Sequence, residues 1–106
     1  KLYLTEFNVV LKNLYEFYKN KISLYPQKII IKKLKSRWGY CYPHKKLICM
    51  NLELAKYRIE CIEYVYVHEL VHLLEPSHNE RFKRLLTEFL PPWKDWSKQL
   101  KQHNMC

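Results

Sequence analysis

Apolar residues Phe7, Val10, Leu11, Leu14, Phe17 and Tyr18 recur at three- and four-residue spacing, which predicts an amphipathic helix from Thr5 to about Asn20. Thr5 is the expected cap, Glu6 lies in the first turn, and Lys19 and Lys21 suit the C-terminal end. From Lys28 to Leu34 the chain is β-branched and basic. A turn at Tyr42 to Lys45 then separates Ser36–Cys41 from Lys46–Asn51, so two or three short strands are expected, in a small antiparallel or mixed sheet. Lys28, Lys32, Lys33, Lys35 and Arg37 fall on both faces of an ideal strand, which suits a sheet edge able to pair with an extended segment. Leu52–Tyr57 reads as a short helical turn. Ile59 to Glu75 is apolar on nearly every side and reads as a central helix, stopped by Pro76. A further amphipathic helix is expected over Asn79–Phe89. After Pro91 and Pro92, a last helix runs from Trp93 to about Gln102 with Trp93, Trp96 and Leu100 inward. Long helical segments joined by a small sheet make an α+β fold, and no internal repeat is present.

At 106 residues the chain is expected to form one domain over 1–106, and 48% hydrophobic against 27% charged residues is a folding composition. The net charge of +9 is uneven. Lys1 to Arg58 carries thirteen basic against three acidic residues, whereas Ile59 to Glu75 carries four acidic residues and no Lys or Arg. The basic half permits nucleic acid as a partner, although a solvated lysine-rich surface is the commoner explanation. Cys41, Cys49, Cys61 and Cys106 show no CxxC spacing, which argues against a cysteine knuckle or a dithiol redox site. Cys41 and Cys49 flank the expected turn, where a disulfide is permitted but not required. Without a signal-peptide pattern or a membrane-length apolar run, the expectation is a soluble cytoplasmic protein with no membrane partner.

The central helix carries His68, Glu69 and His72 as HELVH. Residues four apart on a helix lie about 40° apart around the axis, so both imidazoles point one way, and Glu69 sits on the flank nearer His72. This is the spacing of a Zn²⁺ site with a built-in base. A hydrolytic zinc site takes three protein ligands and leaves one position for water. The third ligand should come from the chain returning after Pro76. His78 is preferred, and Glu80 and Glu88 compete; Glu75 fits better as a hydrogen-bonding support. In such a site Glu69 removes the proton of a metal-bound water as it attacks a carbonyl, then passes that proton to the leaving amine. The oxyanion needs a further stabiliser, for which Arg37, Tyr40, Tyr66 and Arg81 are candidates; Arg37 and Tyr40 are preferred because the strands should face the cleft. Peptides or unfolded protein segments are the expected substrates. A metal-dependent nucleotide phosphohydrolase is the alternative within enzymes, disfavoured by the lack of a Gly-rich phosphate loop. A nucleic-acid-binding module with a structural zinc is the alternative outside them, disfavoured because Glu69 would have no task.

Several segments resemble the YgjP-like metallopeptidase family, related in kind to the SprT-like and WLM zincins. SRWGYC at Ser36 to Cys41 is similar to that family's SRWGSC, ICMNLEL to its I-x-LN-x-x-L, YVYVHELVHLLEPSHNERF to its histidine-bearing segment, and LPPWKDWSKQL to its final helix. The resemblance covers roughly Pro26 to Leu100. It implies zinc ligands at His68, His72 and His78, a general base at Glu69, and a zincin-like α+β fold with a small sheet above the active-site helix. Tyr40 stands where the family usually has Ser, and Ser77 where it usually has Asn. Longer members carry an additional N-terminal β-rich region, so the resemblance implies a near-minimal catalytic domain. His103 and Cys106 are potential ligands in the tail, which raises self-association or latency through an occupied cleft as a further expectation.

Overall fold

The computed structural model describes residues 2–100. Helix α1 spans Leu4–Ile22, strands β1, β2 and β3 span Lys28–Lys32, Gly39–Tyr42 and Leu47–Asn51, and helices α2, α3 and α4 span Ile59–Val71, Glu80–Phe89 and Trp93–Gln99. Short 3₁₀ turns occupy Pro43–Lys45 and Leu52–Lys56. The architecture is α+β, as the alternation of periods predicts.

Phe7, Leu11 and Tyr18 form the buried stripe of α1. The cap differs from the expected one: the helix begins one residue before Thr5, and the Glu6 carboxylate accepts the Tyr3 backbone N–H (2.9 Å). A carboxylate three residues along satisfies the N–H of the cap residue itself, the half of a capping box that complements the donors a Thr hydroxyl would take. Ser23 closes the helix in the left-handed region at φ 55°. The Tyr18 hydroxyl donates to Glu63 (2.5 Å) and ties α1 to α2.

The sheet has the order β1-β3-β2, with β1 parallel and β2 antiparallel to β3. It is therefore mixed rather than purely antiparallel. Alternation reveals strands but not their direction, and here the chain crosses β3 between β1 and β2. Asn51, fully buried, holds that crossing. Its amide donates to the carbonyls of Leu34 (3.1 Å) and Arg37 (2.7 Å), and its oxygen accepts from the N–H groups of Leu34 (3.3 Å) and Glu53 (3.0 Å). The register places Cys41 opposite Ile48 and Tyr40 opposite Cys49. Cys41 and Cys49 thus point to opposite faces, and the disulfide that their spacing permits cannot form.

Helix α2 is the centre of the core. Every residue from Cys61 to Val71 except Glu63 is buried, with α1, α3, α4, β2 and β3 packed around it. The α-helix ends at Val71, four residues before the expected stop. Its last turn tightens, with Leu73 N–H bonded to Leu70 O (3.0 Å) and Leu74 N–H to Val71 O (2.9 Å). Asn79 caps α3 by accepting the Phe82 N–H (3.0 Å), and α3 buries Phe82, Leu86 and Phe89. Of the three inward positions expected in the last helix, Leu100 is buried, while Trp93 and Trp96 are half-buried. The expected extension to Gln102, and the tail residues His103 and Cys106, lie outside the described residues. No helix among the described residues is long and apolar enough to cross a membrane.

Candidate metal centre

His68 and His72 come from one face of α2, and His78 returns to them through the turn between α2 and α3. The Nε2 atoms of His68 and His78 are 3.2 Å apart, and those of His72 and His78 are 3.0 Å apart. Among the described residues these three form the group that could hold a metal ion, with one ligand atom from each lying within 4.8 Å of the others. Neither Glu80 nor Glu88, the competing third ligands, belongs to it. Metal–nitrogen bonds of about 2.05 Å in a tetrahedron put neighbouring nitrogens about 3.3 Å apart, so these two separations are compatible with a metal ion held among the rings. The donor set also fits, since three neutral imidazoles leave a fourth position open.

The surroundings fix the rings. His72 Nδ1–H donates to the Glu75 carbonyl (3.0 Å), which leaves its Nε2 lone pair turned to the centre. The Arg81 guanidinium donates to the Leu74 carbonyl (2.9 Å) and to the Glu75 carboxylate (3.2 Å), whose other oxygen accepts the Ser77 N–H (3.1 Å). These bonds hold the Glu75 carboxyl below its usual range, the Ser77 N–H contributing most and Arg81 next. The turn that delivers His78 is thus stapled by Glu75 and Arg81. Phe82 closes the base of the group, with its ring centroid 4.7–5.0 Å from all three imidazoles.

Glu69 is fully buried, and neither carboxylate oxygen has a hydrogen-bond partner among the described residues. Burial pushes its pKa well up, against the opposing charge of Arg37. A buried carboxyl with no partner is costly, and it is tolerated where a bound group completes it. Gly39 lies against it: a Cβ there would meet Glu69 Cγ at 3.4 Å, an ordinary contact, whereas the Cys49 carbonyl oxygen at 2.7 Å leaves no space for one.

The candidate oxyanion groups separate clearly. Arg37 is exposed, and its charge reaches Glu69. Tyr40 does not join the group. Gly39 faces α2, so its neighbour Tyr40 points to the opposite face, where its hydroxyl bonds Cys49 and is pushed up to about 12 by that bond and by burial. Tyr66 is packed against α1, 6.2 Å from the Tyr18 ring, and Arg81 is occupied by the turn. Asn51 and Phe82 are supports that sequence reasoning missed, Gly39 stood in the family-like run without a role, and Glu75 is the hydrogen-bonding support expected, through its carbonyl on His72. Gly39 and Asn51 carried a signal, as the single glycine of the chain and as a polar residue ending an apolar strand.

An α+β fold in which two buried histidines of the central helix meet an exposed third, His78, with a carboxylate beside them, defines the class, a metal-binding hydrolase of the metallopeptidase kind. The chain belongs to the YgjP-like family: the model of its metallopeptidase domain matches residues 1–103. The fold is similar to that of the metallopeptidase zymogen of Pyrococcus abyssi abylysin, with a TM-score of 0.78 and 21% identity over 90% of this chain and 98% of that one. No curated protein matches the chain.

Proposed function

We propose that this metallopeptidase domain is zinc-dependent, with His68, His72 and His78 as ligands and Glu69 as the general base. The observation that carries the reading is the meeting of three imidazole nitrogens beside a fully buried carboxylate that has no hydrogen-bond partner among the described residues. A zinc ion held there supplies a Lewis acid for the scissile carbonyl and lowers the pKa of a coordinated water towards about 7. Glu69 takes a proton at a carboxylate oxygen as water attacks the peptide carbon, and returns it to the departing amine nitrogen. Its place in an apolar wall keeps bulk water from competing for that proton. Arg37 is the remaining candidate for stabilising the developing oxyanion.

The substrate is an extended peptide or unfolded segment. β2 is a free edge of the sheet, and its first residue, Gly39, stands over Glu69. It offers backbone groups for pairing. β1, the basic edge read from the sequence, lies on the far side of β3. Cys49 and Cys61 remain buried thiols, which suits a reducing compartment such as the cytoplasm.

The test is a peptide-library digest by zinc-loaded protein beside Glu69→Gln, with metal content measured in parallel. Wild type should carry one zinc and cleave; Glu69→Gln should keep the zinc and lose about 10²–10⁴-fold in kcat. His68→Ala and His78→Ala should lose the metal. Full metal content in both histidine variants, or full activity in Glu69→Gln, refutes the assignment.

A further inference from the structure

Beside the triad lies a hollow of about 230 Å³, bounded by Tyr64, His68, His78, Phe82, Leu86 and Trp93. Apart from the two histidines, and Lys83 where it borders the next hollow, its walls are aromatic or aliphatic, and the rings of Tyr64 and Trp93 lie nearly parallel (9°) with centroids 6.3 Å apart. The volume suits one side chain rather than a whole small-molecule ligand. Lys83 and Trp93 also border a second hollow of about 400 Å³, where Arg84 and Lys94 join Lys83 against one acidic residue, Glu80. Lys83, Arg84 and Lys94 are exposed, and none takes part in the ion pairs formed among the described residues. The groove therefore changes from apolar at the histidines to cationic one step further out.

The direction of β2 decides which side of the cut this groove serves. The strand starts at Gly39, beside Val65 and Glu69, and runs to Cys41, which shares a hollow with His72 and Pro76. Antiparallel pairing is the more stable arrangement for an added strand. A substrate paired that way runs from the His72 end past His68 towards Tyr64. Its portion after the scissile bond then meets the apolar hollow first and the cationic one next. Resting on the peptidase reading above, we propose that this groove selects substrates with an apolar or aromatic residue directly after the cut and a carboxylate shortly beyond it.

That carboxylate has two sources, an acidic side chain or the C-terminus of the peptide. Three peptides identical up to the residue after the cut separate them: one with Glu beyond that residue and an amidated end, one with Gln and a free C-terminus, and one with Gln and an amidated end. Zinc-loaded protein should cleave the first or the second with kcat/KM about fivefold above the third, the gain of one solvent-exposed ion pair, and the better of the two names the source. Arg84→Glu combined with Lys94→Glu should invert the ratio and favour a peptide with Lys at that place. Leu86→Trp, which fills the apolar hollow, should shift the residue after the cut from Phe or Leu towards Ala or Gly. Equal cleavage of all three peptides, or an unchanged preference in either variant, overturns this inference and leaves the peptidase reading standing. Cleavage of none overturns both.

Discussion

Replacing Gly39 with alanine pits two physical effects of opposite sign against each other. No glycine among the described residues has a positive φ, so backbone freedom is not what Gly39 supplies. At such a position alanine should stabilise by about 0.4–1 kcal/mol, because it restricts the unfolded chain. The space argues the other way. The new methyl would stand 2.7 Å from the Cys49 carbonyl oxygen, 3.2 Å from Val65 Cγ1 and 3.4 Å from Glu69 Cγ. The worst of these contacts is with backbone of the central strand, which is paired on both sides and cannot retreat without disturbing two ladders. Overpacking of this kind costs about 1–3 kcal/mol, more than the entropy gain. A mid-range cost of about 2 kcal/mol less the entropy gain leaves about 1–1.6 kcal/mol, and at about 4–8 °C per kcal/mol in a domain of this size Gly39→Ala should melt about 4–13 °C lower. The assay is thermal unfolding followed by far-UV circular dichroism on metal-free protein, with kcat and KM on a cleaved peptide alongside. If the methyl also pushes on Glu69, kcat should fall by up to about 10²-fold with KM little changed. A Tm equal to or above wild type refutes the close-approach reading.

Metal-free wild type should lose stability as pH rises. The folded pKa of Glu69 is raised, so above the unfolded value the folded state binds more protons than the unfolded one, and the loss continues until the folded pKa is passed. In Glu69→Gln that part of the slope should vanish, and identical pH profiles of Tm for the two metal-free proteins would contradict it. Arg81→Ala removes the bonds that staple the turn before His78 and should weaken zinc binding about 10–100-fold in a competition titration with a chelator; unchanged affinity would show that the turn holds without it. Asn51→Leu leaves buried backbone groups of the 34–37 crossing unpaired and should cost at least about 2 kcal/mol in urea unfolding. A loss below about 0.5 kcal/mol would mean that water replaces the amide.

The histidine pair was legible because helical periodicity alone sets which way residues four apart point. His78 was legible only as one of three choices. Its return depends on Arg81 reaching back to the Leu74 carbonyl and Glu75, a loop conformation that no local pattern encodes. The Arg37-Trp38-Gly39 run stood out through its resemblance to a family signature, yet its roles are all tertiary. The Trp38 indole donates to the Leu100 carbonyl (2.5 Å), Gly39 lies against Cys49 and Glu69, and the Arg37 carbonyl is held by Asn51. Tyr40 was misplaced for a related reason. Strand alternation assigns it to the face opposite Gly39, but which of those faces meets α2 is known only once one contact is known.

These particulars share a logic. Every part of the chain obeys local rules of capping, alternation and helical burial until it reaches Glu69, where a carboxyl group is buried without a partner in the most apolar helix. A core that merely needed stability would carry Leu or Gln at that position. Instead the central helix gives up solvation of a carboxyl at the point where three imidazole nitrogens converge. A core histidine pair held only by hydrogen bonds asks for no such concession, whereas a metal centre with its own base does.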